Sequence, residues 1–206
     1  SGLEVRTPDR VRTGFFIDAG GTVLTTTEAV GNCAQTLIND SYEAELAYSD
    51  ADLGIAVLRP LTQLAPLAFG VLAEGPGRVQ APIAVSGFPF DGTLSTASMS
   101  FGTLAALEGM NGETTLQRLD IATAESEAGA PVLDFTGSVT GMVLPGTVSG
   151  RTLPADVTLA LQVDALRDAL TAAGLVLDAA PREDRMNEEN LARLGADMTV
   201  TVSCWN

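Results

Sequence analysis

Between residues 12 and 163 the chain is a succession of short β-forming runs set off by turn residues, with no helical periodicity between them. Residues 12–17 precede the turn Asp18-Ala19-Gly20-Gly21, and the threonine- and valine-rich residues 22–26 follow it. Further runs occupy residues 34–38, 43–48, 53–58, 79–86, 93–104, 114–122, 131–135, 139–144 and 157–163. Phe88-Pro89-Phe90-Asp91-Gly92, Asn111-Gly112 and Leu144-Pro145-Gly146 punctuate them as turns. Many strands at short spacing without helices between them predict an antiparallel sandwich or barrel. The period changes at residues 162–173, where Val163, Leu166, Ala169 and Leu170 fall on one helical face and Gly174 suits a C-cap. A short helix at 188–194 and an apolar strand at 198–202 are expected to close the fold. A linker between two sub-barrels is expected at residues 61–77, where Pro60, Pro66 and Pro76 cluster with glycines.

Composition narrows the chemistry. A chain of 206 residues, 46% of them hydrophobic, can bury a core without a metal or disulfide scaffold. It holds no histidine, and all 11 basic residues are arginine. That excludes Ser-His and Cys-His catalysis, imidazole metal ligands, Ser-Lys dyads, Schiff bases and the P-loop lysine. The formal net charge of -15 argues against a nucleic-acid partner. Between Arg12 and Arg59 there is no basic residue, which reads either as a solvated acidic surface or as a face for a cationic partner. No apolar stretch reaches the roughly 20 residues that a membrane-spanning helix needs. No cofactor motif is present.

Cys33 and Cys204 are the only cysteines, and their spacing fits no zinc motif. They are expected to form one long-range disulfide, the alternative being two buried free thiols. A disulfide implies an oxidising compartment. No signal peptide is legible. The opening Ser1-Gly2 reads as a cloning remnant, which leaves room for a targeting segment or upstream domain cut away.

Residues 14–30 read Gly-Phe-Phe-Ile-Asp-Ala-Gly-Gly-Thr-Val-Leu-Thr-Thr-Thr-Glu-Ala-Val, a strand, a turn and a second strand. With the segments 53–59, 84–89, 126–132, 137–143 and 156–163, in this order and spacing, they resemble the trypsin-like serine proteases, especially the bacterial periplasmic branch that includes the HtrA type, residues 14–30 being similar to that family's approach to its histidine. Leu53-Gly54-Ile55-Ala56-Val57-Leu58-Arg59 resembles the strand with its aspartate, and Ser126-Glu127-Ala128-Gly129-Ala130-Pro131-Val132 its nucleophile loop. Ala84–Pro89, residues 137–143 and residues 156–163 resemble the second barrel's Gly-Phe-Pro turn, its returning hairpin and its substrate-binding strand. The resemblance implies an all-β double barrel, two six-stranded antiparallel barrels with a C-terminal helix. The first barrel is expected at residues 10–72, the second with its helix at 73–178, and a C-terminal extension at 179–206.

Carried over position by position, the resemblance puts the family's histidine on Glu28, its aspartate on Gly54 and its serine on Ala128. A serine needs a base to take its proton, and the base needs a carboxylate to orient it; none of the three survives. The Glu28 carboxylate is expected to face the Ala128 methyl. Ser126, two positions early, and Asp52 or Asp50, ahead of Gly54, do not rebuild the set. The implied function is a catalytically inactive protease homologue that binds a peptide or protein, exported to the bacterial envelope. Ser126, Glu127, Gly129, Leu159, Ala160 and Leu161 are its candidate binding residues, with a strand edge at 159–163 open to β-addition. Two alternatives remain: a hydrolase using Glu28 and Glu127 as paired carboxylates across the cleft, and a purely structural accessory domain. No metal site is expected, since Asp50-Ala51-Asp52 offers too few ligands for calcium.

Overall fold

The computed structural model describes residue 2 and residues 4–148, 150–177 and 179–206. Ser1 of the opening pair, and Asp178 at the expected end of the second segment, lie outside the described residues. Two closed six-stranded antiparallel barrels form the molecule. The first is built from β1 (Arg10–Phe16), β2 (Val23–Thr26), β3 (Gln35–Ile38), β4 (Tyr42–Asp50), β5 (Ile55–Pro60) and the last strand of the chain, β14 (Thr199–Trp205). The second contains β6 (Pro82–Gly87), β7 (Ser98–Ala106), β8 (Leu116–Asp120), β9 (Pro131–Leu133), β10 (Val139–Val143) and β13 (Thr158–Gln162). A small hairpin, β11 (Thr147–Val148) with β12 (Arg151–Thr152), projects from the second barrel. Among the described residues three α-helices complete the fold: α1 (Thr27–Val30), α2 (Val163–Ala172) and α3 (Glu188–Met198). Among the described residues no helix is long and apolar enough to cross a membrane.

The apolar pairs in the sequence follow from this packing. Successive side chains of a strand point to opposite faces. Phe16, Val23 and Leu58 fill the first barrel, while their neighbours Phe15, Leu24 and Val57 face a core shared between the barrels. On the second barrel, Val85, Val143 and Ala160 point inward, and Ala84, Met142 and Leu161 join the shared core. Both faces are buried, so polar alternation is lost and the strands read as continuous apolar runs. Leu166 and Leu170 of α2 and Leu191 and Met198 of α3 pack onto the same shared core. α2 ends where expected, at Gly174 with φ +77°, whose N–H donates to Thr171 O at 3.0 Å.

The C-terminal segment carries the apolar strand expected to close the fold. The expected extension, residues 179–206, contains the closing strand of the first barrel. β14 pairs with β1 (Arg10 opposite Cys204) and with β3 (Val202 opposite Ile38). The helix before it runs four residues beyond the expected 194, starting from Asn187, whose side chain accepts from Asn190 N at 2.8 Å. Cys33 and Cys204 form a disulfide with their Cα atoms 5.3 Å apart, tying β14 to the segment before β3. The linker residues 61–77 form no strand of either barrel, though Leu72 bridges to Val139.

Candidate functional site

Glu28 reaches the inter-barrel cleft because β2 turns directly into α1. Thr26 caps that helix, its Oγ1 accepting from Ala29 N at 3.3 Å, so Glu28 lies in the first turn. A carboxylate there also meets the positive end of the local backbone dipoles. Its carboxylate, the group expected to face the Ala128 methyl, is engaged by a guanidinium. Arg12 of β1 holds it as a fork: Nε lies 3.1 and 2.9 Å from the two carboxylate oxygens, and Nη2 lies 2.7 Å from Oε1. Arg12 Nη2 also donates to Glu125 Oε1 at 3.1 Å, and Nη1 to Val11 O at 2.9 Å. The Arg12 side chain is only 9% exposed. Its burial is compensated because two carboxylates and a carbonyl receive its donors. The pair on one side belongs to the first barrel, and Glu125 belongs to a loop of the second.

That loop, the 3₁₀ turn Glu125–Glu127 followed by Ala128 and Gly129, is fastened to the first barrel by its backbone. Thr13 N donates to Ala128 O at 3.1 Å, and Thr13 Oγ1 donates to Ser126 O at 2.8 Å. Gly129, at φ +94°, donates its N–H to Val143 O at 2.8 Å. Ala128 is buried, and its N–H donates back to Glu125 O at 3.3 Å. Ser126 Oγ donates to Phe88 O at 2.5 Å and accepts from Asp91 N at 3.4 Å. Its hydroxyl therefore ties the loop to the turn after β6, between a carbonyl and an amide, with no base among its partners.

Glu127 is buried behind the loop, its Oε2 accepting from Ala124 N at 2.8 Å. Oε1 crowds the space beside Gly87, where a Cβ would stand 2.9 Å away. Burial pushes its carboxyl above the ordinary 4.5, and the Ala124 N–H opposes the rise. An acid with a raised folded pKa favours the folded state fully below its unfolded value and loses that contribution as pH rises through the folded value. Glu127→Gln keeps the acceptor and removes the charge. Its melting temperature relative to wild type is expected to climb as pH is raised from about 4 to 7; a difference that stays flat or falls would refute a desolvated carboxylate.

The cleft between the barrels has a volume of about 980 Å³. Glu28, Asp52 and Gly54 line it from the first barrel, and Glu113, Leu159 and Leu161 are among those lining it from the second. Ser126, Glu127, Ala128, Gly129 and Ala160 are not among its lining residues. Of the two carboxylates named for a paired mechanism, Glu28 lines the cleft and Glu127 does not. Gly54, at φ +79°, ends the turn between β4 and β5, where Asp50 Oδ1 accepts from Asp52 N and Leu53 N, each at 3.0 Å. Asp50 is consumed by that turn, and Asp52 is left exposed. The expected open edge at 159–163 is corrected: β13 is paired on one side with β8 and on the other with β10, so its ladder is already filled. Among the described residues no three acidic or cysteine side chains gather as a metal site. Sequence reading missed Arg12, Thr13 and Glu125. Its place as the last basic residue before a long acidic stretch was the one available signal for Arg12.

Two antiparallel six-stranded barrels sharing a cleft, with a helix after the second, define the trypsin-like protease architecture. The chain belongs to that family: the model of the trypsin-like peptidase domain matches residues 12–142. An uncharacterized protein of Sinorhizobium fredii, y4bJ, is 24% identical over 203 residues, covering 93% of this chain and 32% of the relative. The chain thus spans about a third of that relative's length. The inactive form of Rv3671c protease, from M. tuberculosis, superposes with a TM-score of 0.62 at 20% identity, over 80% of this chain and 87% of that one. The HtrA-type protease AlgW, solved with a decapeptide, superposes with a TM-score of 0.63 at 19% identity, over 78% of this chain and 50% of its own. At these identities the likeness establishes the fold.

Proposed function

We propose that this is a catalytically inactive trypsin-like protease homologue whose inter-barrel cleft binds a peptide or protein segment, in an exported compartment of a bacterium. The observation that carries the reading is the ion-paired group Glu28–Arg12–Glu125 beside a buried Ala128. In an active member a base at the Glu28 position would take the nucleophile's proton. Here that position carries a carboxylate already committed to a guanidinium, and the residue at the nucleophile position has no nucleophilic atom. One backbone donor of the family's oxyanion hole, the N–H of the nucleophile residue, corresponds to the Ala128 N–H, which points to Glu125 O. Gly54, at the aspartate position, has no side chain to orient a base. The Cys33–Cys204 disulfide supports an oxidising location. The paired-carboxylate mechanism has no comparable support, because Glu127 lies outside the cleft lining.

The wild-type protein is expected to leave peptide and ester substrates unhydrolysed above background and to remain unlabelled by a fluorophosphonate probe. Hydrolysis that scales with protein concentration and vanishes in Glu28→Ala would overturn the reading in favour of carboxylate chemistry. Restoring Glu28→His, Gly54→Asp and Ala128→Ser together tests how much of the machinery persists. Because the Ala128 N–H is committed to Glu125 O and the introduced histidine would stand beside the Arg12 guanidinium, the triple variant is expected to regain only weak esterase activity.

A further inference from the structure

We propose that a groove between α3 and the linker, which shares no lining residue with the cleft, docks an extended peptide segment whose apolar side chains flank a glutamate or aspartate. The groove has a volume of about 500 Å³ and is a second surface, beyond the cleft reading above. Leu67, Phe69 and Val71 of the linker line one side, and Met186, just before the Asn187 cap, and Leu194 of α3 line the other. Leu67 is 86% exposed, so this apolar surface reaches solvent. The linker also offers an open backbone. Among the described residues the N–H and C=O groups of Leu67, Ala68 and Phe69 meet no backbone partner, whereas Gly70 N donates to Phe16 O and Val71 O accepts from Val139 N. Three consecutive residues without ladder bonds, beside apolar side chains, suit an added strand, whose main chain supplies affinity and whose side chains supply choice.

The charge of the occupant follows from Arg182. Its side chain lines the groove, forms no ion pair among the described residues, and has its Nε buried without a hydrogen-bond partner. A buried donor left unmatched is costly, and a carboxylate matches the guanidinium fork with two parallel bonds. Two other charged groups line the groove. Arg193 is already answered by Glu189 at 3.3 Å. Asp197 is partly exposed, where water solvates it. Arg182 is thus the charged group whose unmet bond a ligand fills. A glutamate or aspartate supplies the acceptor; an arginine or lysine side chain has none. A protein with a formal charge of -15 repels acidic segments in general, so retaining one demands a local cation.

Two degenerate decapeptide pools, each with leucines on both sides of a fixed central residue, glutamate in one and glutamine in the other, would be passed over the immobilised full chain and the retained peptides quantified. The glutamate pool is expected to be retained about tenfold better, the worth of one charge-assisted hydrogen bond. Arg182→Gln should bring the two pools level, and Arg182→Lys, which keeps the charge and loses the fork, should keep part of the preference. Leu67→Asp, at a fully accessible apolar position, should lower retention of both pools about fivefold or more. Arg78→Gln removes the same charge at an exposed position outside the groove and should leave the preference intact. Circular dichroism of every variant should match wild type, since Leu67, Arg78 and Arg182 lie outside the helices and strands. Equal retention of the two pools by wild type would overturn the proposal, as would retention of neither. A preference that survives Arg182→Gln, or is lost equally in Arg78→Gln, would also overturn it. Such a failure leaves the cleft reading standing, because neither Arg182 nor Leu67 lines the cleft.

Discussion

Replacing Cys33 and Cys204 together by serine is expected to lower the unfolding free energy by about 5 kcal/mol. The two cysteines are 171 residues apart in sequence, so the cross-link withholds from the unfolded chain most of the freedom of its whole length. The native state also depends on where the bond sits. β14 lies between β1 and β3, and Cys204, 1% exposed, is near its end. Freeing that end allows the strand to fray from both neighbours and the first barrel to open. For a chain of this size the loss corresponds to a fall of about 10–20 °C in melting temperature. Serine leaves an acceptor for Arg10, whose Nη2 lies 3.5 Å from each sulfur and donates to Gly31 O. Urea unfolding of wild type and the double variant is the measurement. A difference under about 1 kcal/mol would show that the unfolded chain is already restrained in other ways.

Gly129→Ala is expected to cost at least about 3 kcal/mol. Gly129 adopts φ +94°, a backbone conformation that side chains oppose. A Cβ there would also overlap the carbonyl oxygen of Thr13, and that oxygen is fixed because Thr25 Oγ1 donates to it at 2.7 Å. The clash is with backbone inside a barrel strand, so no rotamer change relieves it. The loop carrying Ser126, Glu127 and Ala128 would be forced off β1, and the contact between Arg12 and Glu125 would loosen with it. Gly146→Ala, where an added Cβ meets nothing within 4 Å, serves as the comparison and should stay within about 0.5 kcal/mol of wild type. Similar costs for the two substitutions would mean that the loop moves freely against the first barrel.

The antiparallel strands were legible in the residues, because β-forming runs between turn residues are a local property, while their division into two barrels came from the resemblance to the trypsin-like proteases. Phe15-Phe16, Val23-Leu24 and Val57-Leu58 each place one apolar side chain inside a barrel and one in the shared core, and such pairs between turn residues already spell a strand buried on both faces. The want of histidine needed no fold at all to exclude an imidazole base. The cysteine pair was legible as a candidate cross-link, since an even count near the two chain ends leaves few arrangements. Residue order alone could not say which of the remaining groups meet. Glu28 and Arg12 are 16 residues apart, and Arg12 and Glu125 are 113 apart. Their encounter depends on the register of β1 against β2, which runs into the helix of Glu28, and on how one barrel's loop docks onto the other. The same holds for residues 198–202, which read as an apolar strand whose partners were undetermined. A strand's ladder bonds are made to distant chain, and closure of the first barrel decided that this one lies between β1 and β3. Closure also filled both edges of β13, which the alternation of its side chains had no means to reveal.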